Sequence, residues 1–255
     1  MGFIVQFQNK VAVVTGAAKG IGKSIAIELA KQGAKTVILD FDETAGKLIE
    51  EDLKQQQLEV LFIKTNVTDY TSLEAAKNET IKKYQKIDIL VINAGISYKR
   101  RIEEITIDEW DKVLKVNLNG SFYAIKAYYS EFLKKNKDNP GKIIFISSGS
   151  AITGTGGGCH YAASKAGQNG LMRALAKELG PYNVNVNAIA PRVIMTDIFD
   201  HLYPTEQSRK ELIEKIPIGR FGLPEDVAGM VCFLASPAAS YIHGQIILLD
   251  GGRTY

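Results

Sequence analysis

The chain has 255 residues, of which 45% are hydrophobic and 23% charged, so it is long enough to fold as one large α/β domain around a substantial core. Its formal net charge is +3 and its basic residues are dispersed, which excludes a nucleic-acid-binding stripe and a polybasic membrane patch. Two cysteines, Cys159 and Cys232, and three histidines exclude a disulfide framework and a zinc site, and no apolar run reaches the roughly 18 residues of a membrane span.

Short apolar runs alternate with longer helical patterns along the chain. Most of the runs are continuous, as expected for parallel strands that are covered on both faces. The repeated strand–helix units predict a single-domain, Rossmann-type, doubly wound α/β fold over residues 1–255, with a seven-stranded parallel sheet and helices on both faces. The predicted strands are Val11–Val14, Thr36–Leu39, Val60–Ile63, Ile87–Ile92, Lys142–Ile146, Val184–Ile189 and Gln245–Leu249. The predicted helices lie near residues 20–32, 43–57, 71–84, 107–135, 160–180, 205–215 and 224–235.

A glycine-rich turn, Thr15 to Gly22, joins the first predicted strand to the first predicted helix. This is the context that a pyrophosphate-binding turn requires, because the helix N-terminus then faces the anion. Gly16 allows a tight turn, Gly20 lets the backbone approach a pyrophosphate, and Gly22 permits close packing of helix on sheet. The spacing is looser than the usual dinucleotide motif, so a glycine turn made for packing is the alternative.

The second predicted strand ends at Asp40, 18 residues after Gly22. A carboxylate there accepts hydrogen bonds from the adenosine ribose and repels a 2′-phosphate, which favours NAD over NADP. Lys19 in the glycine turn argues for NADP, because a basic side chain attracts that phosphate. Asp40 alternatively serves as a solvated strand end or as the N-cap of the helix that begins near Glu43. We expect NAD as the cofactor, with NADP as the alternative.

Asparagines follow the third and fourth predicted strands, at the sheet edge where such folds bind ligands. Asn66-Val67 closes the third strand and Asn93-Ala94-Gly95 the fourth. These side chains either bind cofactor or satisfy the backbone of a turn. Asn117 falls within the helical stretch from Asp108 to Lys135, where it indicates either a structural break or an anchor for a water molecule.

Tyr161 and Lys165 lie four residues apart and therefore share one face of a helix. An ammonium group held near a phenol favours the phenolate and lowers a tyrosine pKa that is ordinarily about 10. A serine hydroxyl from Ser147-Ser148, aimed at the same point, would hold a substrate oxygen beside the phenol. Together, the phenol, the ammonium and the hydroxyl could transfer a proton to or from a substrate oxygen while a separate group transfers a hydride. On spacing alone, the pair equally fits an ordinary surface pair.

These motifs, in this order, make the chain resemble the short-chain dehydrogenase/reductase family from Lys10 to Gly252. The 13-residue step from Ser148 to Tyr161 matches the family as well, which selects Ser148 over Ser147. The resemblance implies an NAD(P)-dependent oxidoreductase that interconverts a secondary alcohol and a ketone. It implies that Tyr161 is the general acid/base, and that Lys165 lowers its pKa and holds the nicotinamide ribose. It also implies that Ser148 orients the substrate oxygen and that Asn117 supports a relay water.

The resemblance also divides the chain into a cofactor half, about residues 10–150, and a catalytic and substrate half, about 140–255. A mobile lid at about 192–216 is expected to contain Phe199, His201 and Tyr203. The expected cofactor-binding residues are Gly16, Lys19, Gly20, Ile21, Gly22, Asp40, Asn66, Val67, Asn93, Ala94, Gly95, Tyr161, Lys165, Pro191, Ile194 and Thr196. The expected substrate contacts are Ser148, Arg192 and Phe199.

The chain departs from the family pattern at three points. Arg192 follows Pro191 where the family commonly has Pro-Gly, and Ile92 precedes Asn93 where it usually has a second asparagine. Asn66 takes the place of an aspartate, which leaves the adenine contact less defined. None of these changes removes a reacting group.

Two substrate classes stay open. The segment Ile216 to Gly222 resembles bacterial 3-oxoacyl-carrier-protein reductases, but many sugar and polyol dehydrogenases share it. Because Asp40 favours NAD, we expect a sugar, a polyol or a related small hydroxy compound, with 3-oxoacyl-carrier-protein reduction as the alternative. A cofactor-sensing protein without turnover is the alternative of another class. Lys99-Arg100-Arg101 and Arg192 either attract an anionic substrate or form an ordinary solvated basic face.

Assembly and location are expectations as well. The family resemblance implies a homotetramer or homodimer joined by the helices near 107–135 and 160–180. Residues Met1 to Phe7 lack the charged and apolar regions of a secretory signal. We expect a cytoplasmic, metal-free protein that binds a small-molecule substrate but no nucleic acid and no membrane.

Overall fold

One parallel sheet organises the part of the chain that the computed structural model describes, residues 6–196, 199 and 205–254. Within these ranges the sheet has seven strands in the order β3-β2-β1-β4-β5-β6-β7, and every pair is parallel. This confirms the predicted doubly wound, Rossmann-type fold. The strands are β1 (Val11–Thr15), β2 (Lys35–Asp40), β3 (Val60–Lys64), β4 (Ile89–Ile92), β5 (Gly141–Ile146), β6 (Val184–Pro191) and β7 (Ile246–Leu249).

Helices cover both faces of the sheet, and the strand residues alternate between two cores. Ala12 and Val14 of β1 belong to one hydrophobic cluster, whereas Val11 and Val13 belong to the other. Because both faces of β1 are buried, its apolar run is continuous, which is the pattern on which the fold was predicted. The helices are α1 (Gly20–Lys31), α2 (Glu43–Gln55), α3 (Tyr70–Tyr84), α4 (Ile107–Leu114), α5 (Gly120–Phe132), α6 (Ser150–Thr153), α7 (Cys159–Leu179), α8 (Glu206–Ile213) and α9 (Pro224–Ala235).

The helix predicted over residues 107–135 is wrong as a single regular element. A π-helical turn, Lys115–Asn119, separates α4 from α5, and α5 ends at Phe132. The wider turn is stabilised by side chains, since the Asn117 carbonyl accepts hydrogen bonds from Ser121 Oγ (2.5 Å) and Gln168 Nε2 (2.9 Å). Single π-helical turns occur frequently at functional sites.

Two smaller features complete the fold. The stretch from Gly149 to Gly158, between β5 and α7, contains the one-turn helix α6. Across the described ranges, no helix combines the length and the apolar character that crossing a membrane demands.

Candidate active site

The predicted site residues converge at the carboxyl edge of the sheet. The glycine turn follows β1, Asn93 follows β4, and Ser148 follows β5. The order of the strands places β1 beside β4, so the chain switches direction across the sheet between these two strands. In open α/β sheets, ligands bind in the crevice at such a switch point.

The glycine turn requires glycine at the positions that the sequence indicated. Gly16 and Gly20 adopt positive φ angles of 63° and 53°, which L-residues rarely do. A Cβ on Gly16 would lie 2.7 Å from Ala94 Cα, and one on Gly22 would overlap the Gly16 carbonyl oxygen and Asn93 Nδ2. The turn is therefore packed directly against the segment after β4.

Asn93 braces this turn. Its Nδ2 donates to the carbonyl oxygens of Thr15 (3.0 Å) and Gly16 (2.8 Å). Thr15 Oγ1 in return accepts from the amides of Asn93 (3.0 Å) and Ala94 (3.1 Å). Of the two roles that the sequence left open for Asn93, its side chain performs the one of satisfying a turn.

Asp40 lies beside the glycine turn but does not cap a helix. Its Oδ2 accepts from the Ala18 amide (2.9 Å) and its Oδ1 from the Asp42 amide (3.0 Å). The N-cap of α2 is Asp42, whose carboxylate accepts from the Ala45 amide, so the capping role considered for Asp40 is wrong. Lys19 Nζ contacts Asp42 Oδ2 at 2.7 Å, and this hydrogen bond lowers the pKa of Asp42.

Asn66 and Val67 form the turn after β3. Asn66 Oδ1 accepts from the Thr68 amide (3.0 Å) and the Thr68 hydroxyl (2.9 Å). A Cβ added to Gly120 would lie 3.1 Å from Val67 Cγ2, so the turn packs closely on the start of α5. The side-chain oxygen of Asn66 thus stabilises its own turn, and an adenine contact from this position stays a prediction.

Ser148, Tyr161 and Lys165 come together beside this edge. Lys165 is 3% exposed, its Nζ donates to the Ile146 carbonyl oxygen (2.8 Å), and it lies 5.8 Å from the centre of the Tyr161 ring. The Ser148 hydroxyl accepts from the Ser150 amide (3.1 Å), and its influence on the Tyr161 phenol lowers the pKa of that phenol. The arrangement places a hydroxyl, a phenol and an amine around one point.

Asn117 connects this group to the segment after β4. Its Oδ1 accepts from the Ile96 amide (2.8 Å), and its Nδ2 donates to the Ile96 carbonyl oxygen (2.9 Å) and Ser164 Oγ (3.0 Å). A Cβ on Gly95 would lie 3.2 Å from Asn117 Oδ1 and 3.4 Å from Lys165 Nζ. Asn117 therefore positions backbone next to Lys165, while its support of a relay water stays a prediction.

Comparison with known proteins decides the family. A family model described as enoyl-(acyl carrier protein) reductase matches residues 16–254. The chain is 38% identical to a 3-oxoacyl-(acyl-carrier-protein) reductase of Aquifex aeolicus, over 97% of this chain and 98% of that one. The chain belongs to the short-chain dehydrogenase/reductase family. As a short-chain dehydrogenase/reductase, it is a nicotinamide-dependent oxidoreductase that acts on CH–OH groups.

Further relatives differ in their substrates. The chain is 37% identical to an NAD-dependent glycerol dehydrogenase of Listeria innocua, over 96% of this chain and 94% of that one. Among solved structures, a 7α-hydroxysteroid dehydrogenase complexed with NADH and 7-oxo glycochenodeoxycholic acid is 32% identical, with a TM-score of 0.89 over 98% of this chain and 96% of that one. A Brucella melitensis 3-ketoacyl-(acyl-carrier-protein) reductase complexed with NADH is 30% identical, with a TM-score of 0.90 over 98% of this chain and 100% of that one.

After β6 the chain has Arg192 where the family commonly has glycine. The backbone at residue 192 does not adopt a conformation that requires glycine. The residue with a positive φ is Val193 (61°), not Arg192. Ile194 pairs with Gly222, and the Thr196 methyl group would lie 3.8 Å from a Cβ on Gly20. The segment thus lies next to the glycine turn, where this short-chain dehydrogenase/reductase is expected to contact nicotinamide.

Of the predicted substrate contacts, Arg192 lies beside Ser148, whereas Phe199 packs in a separate hydrophobic cluster. The Arg192 guanidinium donates to Thr254 Oγ1 and Thr155 Oγ1, both at 2.8 Å, and its stem lies against Gly149 beside Ser148. Phe199 is buried, and its ring centre is 4.7 Å from that of Phe221. Phe199 therefore stabilises a small separate core. The predicted lid residues His201 and Tyr203 lie outside the described residues.

The basic run after Gly95 is engaged in ion pairs. Arg100 Nε lies 3.7 Å from Glu109 Oε2, and Arg101 Nε lies 2.9 Å from Glu103 Oε1. Lys99, the remaining cation of this run, also interacts with a neighbouring group. Two of these three cations therefore have carboxylate partners, as expected of a solvated charged face.

Several residues of the site went unrecognised in the sequence. Thr15 and Gln168 carry hydrogen bonds that hold the glycine turn and the π-helical turn. Two signals for them were present: a hydroxyl at the start of the glycine motif, and a polar residue three positions after Lys165, on the same side of the helix. Neither signal indicated which residue would be the hydrogen-bond partner of Thr15 or Gln168.

Burial shifts the pKa of both Tyr161 and Lys165. It raises the pKa of Tyr161, and the hydrogen bond with Ser148 only partly offsets this. Burial also lowers the pKa of Lys165 to about 7. The direction for Tyr161 is opposite to the lowering expected from Lys165, because desolvation of the phenol is the larger effect and Lys165 itself loses charge as the pH rises through 7.

Lys165→Met should stabilise the fold, and most strongly at low pH. The folded-state pKa of Lys165 is about 7 against an ordinary 10.5, so the unfolded chain binds more protons between these values. The parent's free energy of unfolding therefore rises with pH across this window, and the advantage of the variant shrinks. Urea unfolding of both proteins at several pH values measures this difference.

Lys177→Met provides the control for this experiment, because Lys177 is exposed on the same helix. Its effect on the free energy of unfolding provides the baseline for removing an exposed lysine from this helix. A constant effect of Lys165→Met would show that Lys165 has an ordinary pKa in the folded protein.

Proposed function

We propose that the chain interconverts a small polyol or sugar and the corresponding ketone with NAD. The observation that carries this proposal is the convergence of Ser148, Tyr161 and Lys165 beside a glycine turn flanked by Asp40. When bound, the nicotinamide cofactor supplies or accepts the hydride. The residues of the chain orient the substrate and move the proton.

Each catalytic residue has a separate task. In oxidation, Tyr161 accepts the hydroxyl proton as the carbon loses its hydride; in reduction, it returns that proton to the carbonyl oxygen. Ser148, whose hydroxyl influences the phenol, holds the same substrate oxygen. Lys165 supplies a positive charge that favours the phenolate when it is protonated.

Two carboxylates support NAD as the cofactor. Each oxygen of Asp40 accepts one amide hydrogen bond, and a carboxylate oxygen has a further lone pair with which to accept from a ribose hydroxyl. The ammonium of Lys19 lies 2.7 Å from Asp42, which opposes the attraction of Lys19 for a 2′-phosphate. Both effects disfavour NADP.

Asp40→Ala should narrow the preference for NAD over NADP, because it removes a ribose acceptor and a repulsive charge. Asp42→Ala should act in the same direction by removing the anionic partner of Lys19. The measurement is the ratio of kcat/KM with the two cofactors. Glu59→Ala, which removes an acid near Lys35 at the amino end of β2, is the charge-matched control and should leave the ratio unchanged. A ratio that Asp40→Ala leaves unaltered would contradict a ribose contact.

Reduction of 3-oxoacyl thioesters is the second candidate function. It is favoured by the 38% identity to the Aquifex aeolicus reductase and by 36% identity, over 97% of this chain and 99% of the relative, to a Thermotoga maritima protein of the same name. The glycerol dehydrogenase of Listeria innocua supports the polyol reading at nearly the same identity, 37%. Both candidate functions use Ser148, Tyr161 and Lys165, and they differ in the part of the substrate that lies beyond the reacting oxygen.

A substrate panel separates the candidates. Sugars, polyols, their phosphates and an acetoacetyl thioester are assayed by the absorbance of reduced nicotinamide, with NAD and NADP separately. Turnover of a polyol or sugar with NAD is the expected result. Thioester reduction with NADPH would assign the protein to the acyl reductases, and cofactor binding without any turnover would favour a sensor.

We also propose a homotetramer or homodimer that works in the cytoplasm. α5 leaves Phe122 46% exposed, and Leu133 directly after it 37% exposed, as expected of a helix that packs against another subunit. Cys159 and Cys232 are both free thiols, which suits a reducing compartment. Light scattering should give two or four times the mass of one chain. A monomeric mass would contradict the assembly.

A further inference from the structure

His160 is buried directly before Tyr161 in the first turn of α7. Its ring is fully excluded from solvent, and Nε2 lies 3.2 Å from Glu109 Oε1. Its Nδ1 atom is buried without a hydrogen-bond partner among the residues that the structure describes. A buried polar atom without a hydrogen-bond partner costs stability, so the burial of this ring calls for an explanation beyond packing.

Glu109 links His160 to the segment between β4 and α4. Its backbone amide donates to Thr106 Oγ1 (3.1 Å), the N-cap of α4, so the position of Glu109 is fixed by the start of that helix. While Oε1 contacts His160, Oε2 lies 3.7 Å from Arg100 Nε. One carboxylate therefore joins three elements: α7, α4 and the loop that contains Arg100.

That loop, residues 96–101 and here termed the 96–101 loop, has a second connection to α7. The Gly158 amide donates to the Tyr98 carbonyl oxygen (2.9 Å). A Cβ on Gly158 would lie 2.6 Å from His160 Nδ1 and 3.3 Å from the Arg100 carbonyl oxygen. The imidazole is thus held between Gly158 and the 96–101 loop, with the Tyr98 ring 6.3 Å away.

The 96–101 loop runs beside the reacting groups. It begins after Gly95, whose added Cβ would lie 3.4 Å from Lys165 Nζ, and passes Gly158, three residues before Tyr161. A substrate whose oxygen reaches the phenol lies next to this loop. A change in the position of this loop would therefore change the space beside Tyr161 in which the proposed substrate lies.

We propose that His160 is a positioning residue, which through Glu109 holds the 96–101 loop at a fixed distance from Tyr161. This inference rests on the proposed oxidoreductase function, since the site that it shapes is the alcohol or ketone site. It requires no contact between His160 and substrate. A displacement of about 1 Å in a substrate-positioning element can change rates by up to about 10²-fold.

Loss of this link should affect substrate more than cofactor. His160→Ala should raise the KM for the alcohol or ketone about 10-fold, within the range of such displacements, and leave the Kd for NADH unchanged. The glycine turn and Asp40 do not contact His160 through any of the bonds described, so the cofactor side of the site stays in place.

A double-mutant cycle tests the link itself. Glu109→Ala should raise KM at least as much as His160→Ala, because it removes the contact with Arg100 as well as the contact with His160. The double variant should raise KM no further than Glu109→Ala, because the contact with His160 is then already lost. His160→Gln keeps a donor directed toward Glu109 and should restore most of the affinity for substrate. Glu103→Ala, which breaks the exposed ion pair between Glu103 and Arg101 but leaves Glu109 and His160 in place, is the matched control and should have no effect. Additive effects in the cycle, or no rescue by glutamine, would overturn the proposal.

Hydrogen exchange separates failure of this inference from failure of the proposed function. In the NADH-bound protein, His160→Ala should accelerate exchange of the Gly158 amide and of the 96–101 loop, but not of β1. If the parent converts none of the tested substrates, the proposed function fails and exchange still decides the role of His160. Unchanged exchange at Gly158 would show that the loop is held without His160.

Discussion

Tyr161→Phe should abolish turnover in both directions while leaving cofactor binding intact. The substitution removes one oxygen, the atom that gives and takes the substrate proton in the proposed mechanism. Its ring keeps its place, because a Cβ on Gly157 would lie 2.7 Å from Tyr161 Cδ1 and the loop therefore already packs on the ring. General acid–base catalysis contributes about 10²–10⁴-fold, so kcat should fall at least by that factor.

The measurement pairs steady-state kinetics with titration of NADH by fluorescence. Tyr182→Phe, at a partly exposed tyrosine just after α7, is the control and should retain full activity. If Tyr161→Phe kept a tenth or more of the parent rate, about the loss of a single weak contact, the proton would have to pass through another group. Ser148, whose hydroxyl influences the phenol, would then be the first residue to test.

Gly22→Ala should cost the protein both stability and cofactor affinity. The added methyl group would overlap the Gly16 carbonyl oxygen, which is backbone, and Asn93 Nδ2, which is held by hydrogen bonds to the Thr15 and Gly16 carbonyl oxygens. α1 must therefore move away from the turn, which opens the backbone cradle expected to bind the pyrophosphate. Overpacking of this kind costs about 1–3 kcal/mol, and we expect the Kd for NADH to rise about 100-fold, equivalent to about 2.7 kcal/mol.

Gly229→Ala provides the matched control. Gly229 lies inside α9, is exposed, and has no heavy atom within 4 Å of an added Cβ. There the same substitution should stabilise the fold by about 0.5–1 kcal/mol, because alanine loses less backbone entropy in a helix. Urea denaturation and NADH titration of both variants distinguish a collision at Gly22 from a general effect of adding a methyl group. Wild-type affinity in Gly22→Ala would show that the turn does not bind the cofactor.

The fold could be predicted from the sequence because each buried strand appears as a run of consecutive apolar residues. Val11 to Val14 are all buried, and an apolar run of this kind fits a parallel strand with helices on both faces. The alternation of strands and helices then indicated a parallel sheet with right-handed crossovers. Local spacing also located the glycine turn and the Tyr161–Lys165 pair.

The remaining features depend on contacts between distant residues. His160 and Glu109 are 51 positions apart, and Asn93 and Gly16 are 77 apart, so no local pattern pairs them. The π-helical turn at Asn117 required Ser121 and Gln168 to accommodate a freed carbonyl, which helix propensity does not register.

The predicted lowering of the Tyr161 pKa was wrong for a related reason. Spacing placed Lys165 near the phenol, but the depth at which the sheet and α7 bury both groups is a property of the assembled fold. Similarly, Asp40 and Asp42 are two residues apart at the end of one strand, and only the path of the chain decides which of them caps α2.

The brace that Asn93 forms across the switch point has a consequence for how activity is regained during refolding. It joins the first strand–helix turn to β4, which in turn pairs with β5, the strand that leads to Ser148. Each of the two hydrophobic clusters likewise contains residues from both ends of the chain. An early-folding fragment would therefore lack a finished phosphate cradle. Cofactor binding and catalysis are expected to return together, at the rate of the slowest non-local strand pairing.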